Sequence, residues 1–169
     1  MTTTLDKRKQ MDAAAQEVVK VILRNSPNCG WIDTGGSSFA RIDGLLCTGN
    51  PSNRQLAAAI EIKCRNISIV DLFTKYNGEL MVDASKVDAL KNISVMLCVP
   101  SFLVCYLMPS GTVLKTQIAN DKGELVCNKR NESTAAPAGM GREVVVKEAA
   151  YIKLDGTTII ATEEACKTV

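Results

Sequence analysis

The chain has 169 residues, with 20 basic and 18 acidic side chains, seven cysteines and no histidine. The missing imidazole excludes Ser-His-Asp and Cys-His hydrolysis, histidine acid–base catalysis and every metal or haem site built on His. A length near 170 residues fits one domain, expected to run 1–169. With 46% hydrophobic and 22% charged residues, disorder, collagen and coiled coil are also excluded. The net charge of +2 names no partner, so any claim of nucleic-acid binding has to rest on local placement of charge. An odd number of cysteines without a C-x-x-C pair reads as reduced, buried thiols. Together with an N-terminus lacking an apolar signal core and no run long enough to cross a bilayer, this predicts a cytoplasmic protein with no membrane partner.

In chain order, Met11, Ala14, Ala15, Val18 and Ile22 follow helical spacing and predict a helix over 5–24, stopped by Asn25-Ser26-Pro27-Asn28. Three runs of strand character follow at 30–34, 39–48 and 56–64, separated by Gly35-Gly36-Ser37-Ser38 and by Gly49-Asn50-Pro51-Ser52-Asn53. Val87, Leu90, Ile93 and Leu97 predict a helix over 85–97, interrupted by the polar Ser94 and capped by Asp83 or Ser85. Pro100 ends it, and the apolar run 102–108 reads as a strand covered on both faces. Residues 112–119 and 124–127 predict a hairpin around Asn120-Asp121-Lys122-Gly123, 129–142 has the composition of a loop, and strands are expected at 144–146 and around Asp155-Gly156. These elements read as the fold class α/β (α+β), in the order α-β-β-β-α-β with additional C-terminal strands.

One constellation carries chemistry: Arg41-Ile42-Asp43-Gly44 on one strand and Glu61-Ile62-Lys63 on the next. If the two strands pair antiparallel with Thr48 facing Leu56, Asp43 falls opposite Glu61, and opposed residues have Cβ atoms roughly 4.5–5.5 Å apart. Lys63 shares that face because side chains alternate along a strand. Two adjacent carboxylates in an apolar strand repel unless a cation sits between them. Mg²⁺, with Mn²⁺ as its substitute, needs only carboxylates, waters and a phosphate. It would activate a water while Lys63 orients the attack or balances developing charge, which is phosphodiester hydrolysis.

These residues resemble the signature of the PD-(D/E)XK nuclease superfamily, an Asp on one strand and a Glu-x-Lys on the next. The match runs over helix, Gly/Ser-rich turn, Asp strand, E-I-K strand, helix and apolar strand, residues 5–108, with Ile42 in place of the signature proline. The chain is most similar to Holliday-junction-resolvase-like and phage-encoded members. The resemblance implies a restriction-endonuclease-like core over 5–108, a mixed central sheet flanked by helices, with an extension over 109–169. It implies a Mg²⁺ ligated by Asp43, Glu61 and the Ile62 backbone carbonyl, with Lys63 catalytic. It also implies a structure-selective deoxyribonuclease acting on DNA, branched DNA included, and a symmetric homodimer.

Around this centre, Glu17 resembles the helix glutamate that some members bring to the metal, with a plain surface glutamate as the other reading. Ser37 and Ser38 are candidates for phosphate contact that read first as a simple turn, and Arg41, Arg65, Lys75 and Lys86 are further candidates, each with a solvated surface residue as its alternative. Tyr76 reads as a loop-packing residue before a base-stacking one. The competing class is a non-catalytic nucleic-acid-binding or scaffolding member of the same fold. A cysteine enzyme ranks last, because no histidine is present to activate a thiol.

Overall fold

The computed structural model describes residues 4–34, 42–50, 52–137, 144–154 and 157–161. Among them the order begins α1 (Thr4–Arg24), β1 (Cys29–Asp33), β2 (Gly44–Thr48), β3 (Gln55–Arg65), α2 (Ile69–Thr74), β4 (Glu79–Asp83) and α3 (Ala84–Leu97). It continues with β5 (Ser101–Leu107), β6 (Thr112–Ala119), β7 (Lys129–Pro137), β8 (Val144–Lys153) and β9 (Thr158–Ala161). A mixed six-stranded sheet runs β1-β2-β3-β5-β6-β9, and a second, antiparallel sheet runs β4-β8-β7. Only β3 and β5 are parallel, as the crossover through α2, β4 and α3 requires.

Two apolar layers explain this arrangement. Val18, Val21 and Ile22 of α1 are buried against Ala58, Ile60, Ile62 and Cys64 of β3 and Val104 of β5. That is the stripe the helical spacing predicts. On the other face, Val87 and Leu90 of α3 pack with Ala59, Leu103 and Leu114 of the large sheet and with Leu80, Val82 and Ile152 of the small one. α3 thus packs against both sheets through its buried Ala84, Val87, Ala89 and Leu90, and Ser94 on it is fully buried.

Several expectations need correction. The β2–β3 hairpin pairs Thr48 with Gln55 and Cys47 with Leu56, not Thr48 with Leu56. The pairing then shifts between Leu46 and Cys47, so that Leu46, Leu45 and Gly44 face Ala58, Ala59 and Ile60. Ala57 is the extra residue of a β-bulge. The second hairpin reduces to β6 and a single bridge between Ala119 and Leu125. Lys129–Pro137, expected as loop, is a strand paired along its length with β8. Its polar sequence suits the edge of a sheet, where only one side is hydrogen-bonded. α2 and β4 were not foreseen. Yet Ser68 accepts the Asp71 N–H at 3.0 Å, a capping spacing readable in the sequence. Asp83 caps α3 by position, without a side-chain hydrogen bond.

Gly44 sits where β2 enters the sheet, with the ring of Trp31 directly over it. A Cβ added there would overlap the Trp31 ring carbons. Gly44→Ala should therefore displace the only tryptophan and destabilise the fold by about 1–3 kcal/mol. Urea unfolding followed by tryptophan emission checks this, and an unchanged midpoint with unchanged emission would contradict it.

Candidate active site

β3 is the strand on which the site is built. It is flanked by β2 and β5, and its residues alternate between layers: Ile60, Ile62 and Cys64 turn to α1, whereas Ala59, Glu61, Lys63 and Arg65 turn to the opposite face. Glu61 is 0% exposed. Its Oε1 receives the Lys63 Nζ at 2.5 Å and the Lys86 Nζ at 3.0 Å, and its Oε2 receives the same Lys86 Nζ at 3.1 Å. The alternation of β3 supplies Lys63. Lys86 comes from the first turn of α3, which the crossover lays over this face. A buried carboxylate costs several kcal/mol to desolvate unless it is paired and hydrogen-bonded, and both conditions are met here by two ammonium groups that keep 24% and 29% of their side-chain surface in solvent.

Asp43 lies one residue before β2, at the point where that strand ends and β3 runs on. Its backbone N–H donates to the Ile60 carbonyl at 3.1 Å and its own carbonyl accepts from Thr34 N–H at 3.3 Å. Its side-chain Oδ2 accepts the Ile62 N–H at 2.6 Å. The carboxylate thus takes the place of the missing β2 backbone and satisfies β3 where its partner strand has run out. Ile42 beside it is buried, and its carbonyl accepts the Thr34 hydroxyl. A strand residue directs its N–H and C=O toward the same neighbour, so the Ile62 carbonyl faces the edge that Asp43 occupies. Asp43 and the Glu61-Ile62-Lys63 run therefore meet through a side-chain-to-backbone bond. The paired register of β2 with β3 ends at Gly44 opposite Ile60, and the contacts that Asp43 makes with β3 run to Ile60 and Ile62.

The remaining candidates separate. Glu17 belongs to α1, on the layer opposite Glu61, and pairs with Lys20 at 2.6 Å in solvent. Arg65 donates to the Met81 carbonyl at 2.8 Å, and Lys75 pairs with Asp71 at 2.7 Å across one turn. Ser37, Ser38 and Arg41 lie outside the described residues. Burial pushes the Cys105 thiol up to about 12. Burial first, and the nearby Asp43 charge second, raise Cys64. Neither is a ready thiolate at neutral pH. Sequence reasoning missed Arg130, which lies over the Tyr151 ring at 4.0 Å and bonds Glu79 through Nε and Nη2 at 2.7–3.3 Å. No local pattern announced it, because these groups meet only through strand pairing in the small sheet.

Among the described residues no group of three or more Asp, Glu, Cys or His side chains gathers to hold a metal. The contacts here join the Asp43 carboxylate to the Ile62 N–H and the Glu61 carboxylate to Lys63 and Lys86. Comparison with protein-family models, curated proteins and solved structures finds no match.

The pairing of Glu61 sets a stability expectation. Removing both ammonium groups in a Lys63→Ala, Lys86→Ala double variant should cost about 3–5 kcal/mol at neutral pH, the range for stranding a buried charge. Each single variant should cost less, since one partner remains. Denaturant unfolding measures this, and a double variant as stable as wild type would contradict the account.

Proposed function

We propose that the chain is a metal-dependent nuclease that hydrolyses DNA phosphodiester bonds, built on a restriction-endonuclease-like core. The observation that carries this reading is the bond from the Ile62 N–H to the Asp43 carboxylate, which joins the aspartate to the strand bearing Glu61 and Lys63. The order helix, antiparallel strands, crossover helix and parallel strand supports the same reading.

The donor chemistry fits Mg²⁺ or Mn²⁺. Asp43, Glu61 and the Ile62 carbonyl are hard oxygen donors, and Mg²⁺ leaves its other positions to water and phosphate. These three groups would hold the ion. When bound, it supplies an acidified water and a polarised phosphoryl oxygen. The protein's own residues do the rest. Lys63, with part of its side chain in solvent, can leave Glu61 to hold the attacking water or meet charge growing on the phosphoryl oxygens. Lys86 bonds both oxygens of Glu61 and so fixes its orientation when Lys63 moves. Arg65, two residues along the same strand face, adds positive charge where the phosphate backbone would lie.

The double pairing of Glu61 favours a second reading, a nucleic-acid-binding or scaffolding protein in which the three groups form an internal ion cluster. One experiment separates the two. Supercoiled, linear, single-stranded and four-way-junction DNA are incubated with Mg²⁺, Mn²⁺ or EDTA. Cleavage is expected with either ion and none with EDTA, and Lys63→Ala should lower the rate by about 10²–10³-fold. Absence of cleavage on all four substrates, or equal rates in wild type, Glu61→Ala and Lys63→Ala, would leave the binding reading standing.

A further inference from the structure

Beyond Arg65 the charged face of β3 opens into a cleft of about 540 Å³, lined among others by Arg65, Lys75, Tyr76, Met81, Arg130 and Tyr151. The volume is within the range of sites that enclose a small ligand, roughly 300–1,000 Å³. We infer that this cleft binds an unpaired polynucleotide strand, with bases against Tyr76, Arg130 and Tyr151 and phosphates along Arg65 and Lys75. The inference rests on the nuclease reading for one point only, that the strand continues toward Lys63.

Two independent features support it. The first is the state of Tyr76, which is 51% exposed although it sits on a tightly held turn. Glu79 N–H donates to the Tyr76 carbonyl at 2.9 Å, Gly78 N–H to Leu72 at 2.9 Å and Leu154 N–H to Gly78 at 2.9 Å, while Lys153 Nζ donates to the Asn77 carbonyl at 2.5 Å. Asn77 and Gly78 both adopt positive φ. An aromatic ring presented to solvent by a rigid turn has its ordering cost already met, the condition for a stacking platform. The second is Arg130, whose guanidinium lies 4.0 Å over Tyr151 and is held by Glu79. Hydrogen bonding from Arg130 keeps the Glu79 carboxyl below the usual carboxylate range, so the clamp stays charged at neutral pH. A fixed guanidinium plane stacks on bases much as an aromatic ring does.

Charge and shape select the ligand. Of the cations lining the cleft, Lys75 pairs with Asp71 and Arg130 with Glu79 and Glu132, while Arg65 donates to the Met81 carbonyl, so Arg65 is the group best placed to meet a phosphate. In a duplex the base faces are hidden in the stack, so the rings lining the cleft reach them only on an unpaired strand. Neither stacking nor phosphate contact distinguishes ribose from deoxyribose, so the shared chemistry is the unpaired strand itself.

The test is fluorescence anisotropy of labelled oligonucleotides in EDTA, where no metal-dependent cleavage occurs. Single-stranded DNA, single-stranded RNA of the same sequence and the DNA duplex are compared for wild type, Tyr76→Ala, Tyr76→Phe and Tyr151→Ala. A single strand, DNA or RNA, should bind more tightly than the duplex. Tyr76→Ala should weaken that binding roughly tenfold, with Tyr76→Phe restoring it. The DNA and RNA arms identify the sugar. Equal affinity of wild type and Tyr76→Ala for both single strands, with thermal melting showing both folded, would overturn the inference, as would duplex binding as tight as single-strand binding. Cleavage is scored separately with Mg²⁺. Tyr76-dependent binding without cleavage keeps the cleft and removes the nuclease reading, whereas cleavage with no Tyr76 effect on strand binding removes the cleft alone.

Discussion

Glu61 has no contact with solvent, yet two ammonium groups meet its carboxylate on a strand whose centre is apolar. Burying an anion in such a place is tolerable only with partners supplied from outside the strand as well as along it. That requirement accounts for much of the architecture. The crossover from β3 to β5 carries α3 over the face where Glu61 points, and the first turn of α3 delivers Lys86. The buried Val87 and Leu90 of α3 are then packed against the small sheet through Leu80, Val82 and Ile152.

Asp43 enters by a different logic. β2 stops at Gly44 and β3 continues to Arg65, so among the described residues the far part of β3 has no strand partner on the β2 side. The Asp43 side chain satisfies the Ile62 N–H there. A structural need and a chemical opportunity coincide here. The carboxylate that closes the end of the ladder is also one of the hard oxygen donors of the proposed cation site. From this centre the positive groups continue along one strand face through Lys63 to Arg65, and on into the cleft under Tyr76. The path is charged near the proposed centre and aromatic beyond it, so the small net charge of the chain is no obstacle to the proposed polyanion site.

Much of the core was readable in the sequence because periodicity reports burial directly. α1, β3, α3 and β5 appear close to their expected limits, the alternation in LAAAIEIKC assigns faces correctly, and Asp43 and Glu61 come to the same end of the hairpin. The pairing rule was right on the Gly44 side of the bulge and off by one residue toward the turn, because nothing in the composition around Ala57 marks an extra residue. β7 escaped notice because an edge strand can be polar on both faces. α2 escaped because six residues show too little of a helical period. The contacts of Lys86 with Glu61 and Arg130 with Tyr151 were out of reach for a further reason: each depends on a crossover or a strand pairing, and charge placement along the chain does not determine which opposite charge it will meet.

The central claim is that Asp43 and Glu61 form a divalent-cation site and not only an internal ion cluster. Calorimetric titration of Mn²⁺ into the protein without nucleic acid tests it most directly, with Asp43→Asn alongside. That substitution keeps the side-chain carbonyl that accepts from Ile62 while removing the charge. One Mn²⁺ site per chain, weakened by about tenfold or more in Asp43→Asn, is the predicted result. No binding to the wild-type chain, or equal affinity in the two proteins, would contradict it.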